Sequence, residues 1–150
     1  MSATFAFLHH LAAFTLVGAV AIEFVLIREL TLKSARMLLL VDAIFGVSAG
    51  TLLVVGFLRV FFFEKGAAYY FHSVPFIAKI SLFAIVGLLS IYPTRKFLSW
   101  RGVLRQGVLP SVQASMLRRI QRIVHWELAS VVGILLCAAL MARGIGYFGP

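Results

Sequence analysis

Four apolar stretches, each longer than the roughly 20 residues needed to cross a bilayer, constrain this chain more than anything else in it. They lie at about 5–27, 37–63, 74–98 and 120–142. With 62% of residues hydrophobic and only 13% charged, the chain is too apolar for an ordinary water-soluble core. At 150 residues it is long enough for one domain. The expected fold is therefore all-α: a single integral membrane domain over 1–150, built as a four-helix transmembrane bundle.

The charges sort that bundle into two ends. The net charge is +9, but the basic residues are not spread evenly. Arg28, Lys33 and Arg36 follow the first stretch. Arg95, Lys96, Arg101, Arg105, Arg118, Arg119 and Arg122 lie between the end of the third stretch and the start of the fourth. Cytoplasmic loops carry the excess of Lys and Arg, so both termini and the 64–73 turn are expected on the outer side. The basic segment, with its Ser115-Met-Leu-Arg-Arg-Ile-Gln-Arg-Ile run, reads as amphipathic. Its expected partner is a bilayer with anionic headgroups, not nucleic acid, for which no recognisable binding motif is present. The first stretch lacks the basic start of a cleaved signal peptide and is too long for one. Cys137 is the only cysteine, which removes internal disulfides and C-x-x-C chemistry.

The chemistry-bearing residues gather near the outer turn. Gly56–Lys79 closes one apolar run, turns through polar and aromatic residues, and enters the next run through Pro75, a residue suited to a first helical turn. Arg59, His72 and Lys79 fall within it. In the first helix, His9 and Glu23 lie about 40° apart on one face, whereas His10 points roughly a quarter-turn away. Polar groups inside a span normally face protein, so His9 is the expected inward histidine and His10 the rim one. Asp42 is placed to pair with Arg36, Arg95 or Arg122. Gly46 and Gly50 give a G-x-x-x-G spacing that permits close helix approach, including approach by a second copy. Pro93 is expected to close the third helix. In the fourth helix His125 and Arg143 share a face, and Glu127 points nearly opposite; the carboxyl is costlier to expose to lipid, so Glu127 is expected inside and His125 at the inner interface.

The G-x-x-R-V-F-x-x-E-K-G-x-x-Y-Y block of residues 56–70, with Glu23 before Arg28, His72, Lys79 and the closing M-A-R-G of residues 141–144, resembles a bacterial four-helix inner-membrane family of unknown function (DUF2214-like). That resemblance implies a bacterial inner-membrane location, in which the outer side expected for the termini from the charges is the periplasm. More distantly, an outer-side histidine in helix 1 and a lysine early in helix 3 resemble the HemJ-type protoporphyrinogen oxidases, which bind b-type haem.

Three function classes stay open on the residues, and whether the chain is an enzyme is not decided by them. The first is a haem b redox protein with its site at the outer face. His9 and His72 would be the iron ligands, and Arg59, Lys79 and Arg143 would neutralise the propionates. The second is a non-catalytic subunit or assembly factor of a membrane complex, or a homo-oligomer. The third is a small transporter using Glu23, Asp42 and Glu127 as proton or cation sites. A soluble-substrate hydrolase has almost no support, since no Ser–His–Asp set is recognisable.

Overall fold

The computed structural model describes residues 2–63 and 70–148, and the Glu64-Lys65-Gly66 block lies outside them. Four helices follow one another: α1 (Ser2–Leu26), α2 (Leu32–Leu58, continued by a π turn at Arg59–Phe63), α3 (Val74–Arg105) and α4 (Ala114–Ala142). Each is long and apolar enough to cross a membrane. A helix satisfies its own backbone hydrogen bonds, which lipid cannot do for it. The packing runs in a ring, tight between α1 and α2 and between α3 and α4, looser between α2 and α3 and between α1 and α4.

Short, polar connections make neighbours antiparallel. Between α1 and α2 the chain turns at Thr31, whose hydroxyl accepts from the Ser34 amide at 3.1 Å while the Ser34 hydroxyl accepts from the Thr31 amide at 2.7 Å. This reciprocal cap satisfies donors that a helix start leaves open. Two side chains then tie the basic end together across helices. Arg36 donates to the Leu104 carbonyl at 3.2 Å, and Gln121 donates to the Ile27 carbonyl at 3.0 Å. The Leu104 carbonyl lies in the last turn of α3 and the Ile27 carbonyl just past the end of α1, where backbone acceptors lack a partner within the helix.

At the far end, the chain after α4 folds back over the start of α3. The Val74 amide donates to the Gly146 carbonyl at 3.0 Å, and the Phe148 amide to the His72 carbonyl at 2.9 Å. Gly146 has φ +80°, and a Cβ there would lie 2.8 Å from Pro75 Cδ. Only glycine meets both demands.

Two sequence expectations are revised. Pro93 does not close α3. It is buried inside the helix, which continues to Arg105 because Phe97, Trp100 and Leu104 beyond it all pack into the core. The basic segment is thus the end of α3, a short loop and the first turns of α4. The second revision concerns Gly46 and Gly50: a Cβ at either would meet nothing within 4 Å, so their spacing is not used for close approach inside this bundle.

The core is layered. One apolar cluster (including Leu16, Val20, Phe45, Val86 and Val131) fills the middle of the bundle. A second (including Ile27, Leu38, Phe97, Trp100, Ile120 and Val124) fills the basic end.

Candidate functional site

Between those two apolar layers lies a layer of carboxyls. Glu23 sits one turn from Ile27 on one side and one turn from Val20 on the other. Asp42 lies between Leu38 and Phe45, and Glu127 between Val124 and Val131. Three different helices therefore deliver their acids to one level. All three are buried, at 2%, 6% and 1% exposure for Glu23, Asp42 and Glu127. They lie within electrostatic reach of one another: Glu23 feels both Asp42 and Glu127, and Glu127 feels Asp42.

Their partners are few. Thr94 donates its hydroxyl to Asp42 Oδ1 at 2.7 Å. Oε1 of Glu23 and Oε1 of Glu127 are buried and have no hydrogen-bond partner among the described residues. No Lys or Arg pairs with any of the three among those residues, although the chain carries 14. Arg36, an expected partner of Asp42, donates to the Leu104 carbonyl instead, and Thr94 takes the position at Asp42 that an arginine was expected to fill. Buried carboxyls without a counter-ion are rare in membrane helices and mark ion or proton paths more often than scaffolding.

One of the three has a way out. A cleft of about 520 Å³ opens between α2 and α3, lined among others by Asp42, Thr94, Ser90, Gly46 and Gly87. Small residues on both helices leave the room, and Asp42 with Thr94 supplies its polar floor. Among the described residues no three His, Cys, Asp or Glu side chains converge closely enough to hold a metal ion.

The outer-end residues are placed on separate elements. His9 is half-buried and turned toward α2, where a Cβ on Gly56 would lie 3.6 Å from its Cε1. His10 is exposed, with Nδ1 2.6 Å from the Ala6 carbonyl. Arg59 begins the π turn three residues beyond Gly56. Lys79 is half-buried with Nζ 5.2 Å from the centre of the Phe76 ring. His72 is exposed and its ring lies 5.5 Å from that of Phe148. Arg143 is exposed at the end of α4. Glu127 is inside and His125 outside, as the opposed faces of α4 require.

The convergence of Glu23, Asp42 and Glu127 on one level was the feature least accessible to sequence reasoning. The available signal was their number: three of only five acidic residues interrupt apolar runs.

Four apolar membrane-length helices around a buried polar layer define a polytopic membrane protein of the four-helix type. Over residues 1–146 the sequence matches the family described as Predicted membrane protein (DUF2214), and the chain belongs to it. No curated protein and no solved structure matches the chain.

Proposed function

We propose that this protein moves protons within the membrane through the Glu23–Asp42–Glu127 layer. The observation that carries the reading is the burial of three carboxyls, from three helices, with no cation paired to any of them among the described residues. A protonated carboxyl has one O–H donor and an ionised one has only acceptors. No hydrogen bond joins the three carboxyls directly among the described residues, so the proton would pass between them over a bridging water, each carboxyl exchanging donor and acceptor roles with it. Asp42 is the exchange point, because it alone of the three lines the cleft between α2 and α3. The apolar layer at the basic end separates the acids from the water on that side.

The test is proton flux into sealed vesicles holding the purified protein and an internal pH dye, driven by a potassium diffusion potential. Protein-containing vesicles should acidify faster than empty ones. Equal rates would end the proposal.

A second reading is favoured by a separate observation, the inward placement of His9 against Gly56. An imidazole aimed into a bundle suits an axial haem ligand, and a b-type haem there would supply one-electron transfer. The chain's own residues fit one such ligand. Arg59 and Lys79 would face the propionates, while the porphyrin would have to cover His72 and Arg143, both exposed. Protein expressed with added haem should then show a Soret band that moves on dithionite reduction and is lost in His9→Ala but kept in His10→Ala. A featureless spectrum removes this reading.

We also infer the orientation. The concentration of Lys and Arg at one end supports a cytoplasmic basic end in a bacterial inner membrane, with both termini periplasmic. Alkaline phosphatase fused after Pro150 should be active; an inactive fusion with an active cytoplasmic reporter at the same position would reverse every side assignment.

A further inference from the structure

A second cleft, of about 340 Å³, lies at the basic end between the close of α1 and the first half of α4, lined by Phe24, Ile27, Arg28, Gln121, Arg122 and His125. We propose that it is a binding site for a phosphate group carried at the membrane surface. Two guanidiniums and an imidazole border it, and none of its lining residues is acidic. Neither Arg28 nor Arg122 is paired with a carboxylate among the described residues.

The site is built before any ligand arrives. Phe24 is its platform: the Arg28 guanidinium lies over that ring at 4.4 Å, and the His125 ring meets it at 5.9 Å. Stacking holds a guanidinium plane while leaving its edge N–H donors free, and that planar fork matches phosphate oxygens. Gln121 sets the second wall. Its amide donates to the Ile27 carbonyl at 3.0 Å, which fixes α4 against the end of α1 and keeps Arg28 and Arg122 on the same opening. Three other cations at this end are engaged elsewhere: Arg36 on the Leu104 carbonyl, and Arg119 and Lys96 over the Tyr92 ring at 4.5 and 5.7 Å.

The depth fits a headgroup. Arg28 lies two residues past the end of an apolar helix long enough to cross the bilayer, so the cleft opens where phosphates of the adjacent leaflet lie. A free phosphate has the same chemistry, and the experiment separates the two sources. Full-length protein, delipidated in a neutral detergent, is titrated by native mass spectrometry with phosphatidic acid, with phosphatidylcholine, and with inorganic phosphate. The expected result is a phosphatidic acid adduct at concentrations where phosphatidylcholine gives none, weakened about thirtyfold in the Arg28→Gln/Arg122→Gln double variant. Displacement of that adduct by millimolar inorganic phosphate assigns the site to free phosphate, and its persistence assigns it to a lipid.

Arg101→Gln/Arg105→Gln, on exposed positions that do not line the cleft, is the control for diffuse charge. The proposal fails if the control pair loses as much affinity as the cleft pair. It fails equally if the cleft pair binds both probes like the parent, or if the parent binds neither. Both arginines are exposed, so the double variant should elute and melt as the parent does, which makes its binding result interpretable.

Discussion

Phe97→Ala should destabilise the bundle by about 3–5 kcal/mol, the range for emptying a large aromatic site that cannot collapse. The ring is fully buried and packs against Trp100 at 5.2 Å between centroids. Its depth makes the loss larger than it would be in mid-membrane. From the start of α3 at Val74, a hydrocarbon layer of about 30 Å is used up near Pro93 at 1.5 Å per residue. Phe97, Trp100 and Leu104 then lie at headgroup level, among Arg95, Lys96, Arg101 and Arg105. Burial there removes apolar surface from water and gains the full hydrophobic term. In mid-membrane the alternative is lipid, as apolar as the core itself, and only packing is lost.

Two leucines isolate that difference. Leu38 belongs to the basic-end cluster and Leu16 to the middle one, and both are buried. Leu38→Ala should cost about 2–5 kcal/mol, whereas Leu16→Ala should cost clearly less, since the transfer term largely cancels. Equilibrium unfolding in mixed micelles measures both. Equal losses would show that the basic-end cluster is surrounded by lipid, and that the depth assignment is wrong.

The contrast between these clusters also explains what the sequence could and could not disclose. Runs of apolar residues report spanning length directly, so the four helices and their order were legible. The extension of α3 through Pro93 was not. Proline removes one backbone donor and is usually a stop signal; here the packing of Phe97, Trp100 and Leu104 beyond it outweighs that cost, and packing partners on α1, α2 and α4 are invisible in a local pattern. Helical angles within one helix were sufficient to turn Glu127 inward and His125 outward, because the two are only two residues apart. The relation between Glu23, Asp42 and Glu127 depends instead on how three helices are offset along the bundle axis. No periodicity fixes that offset. It is set by the Thr31–Ser34 turn and by the Arg36 and Gln121 bonds to carbonyls of neighbouring helices. The same offset removed the expected arginine from Asp42 and put Thr94 there.

Glu127→Gln should reduce proton flux to the level of empty vesicles while leaving the protein at least as stable as the parent. Glutamine keeps the shape of the side chain and removes its ability to release a proton. Glu127 is the most deeply buried of the three acids, and its Oε1 has no hydrogen-bond partner among the described residues, so the exchange breaks no hydrogen bond at that oxygen. It removes instead a group whose ionised form is costly to bury unpaired and that feels Asp42 across the layer. Stability should therefore hold or rise as function is lost. A scaffolding carboxyl would behave the other way, with activity following stability downward. Asp42→Asn separates the roles further: the Thr94 hydroxyl at 2.7 Å can still donate to the amide oxygen, so the α2–α3 contact survives while the exchange point at the cleft is removed. Flux should again fall at least tenfold. If Glu127→Gln and Asp42→Asn both transport protons at the parent's rate, the acidic layer is structural and protons do not pass through it.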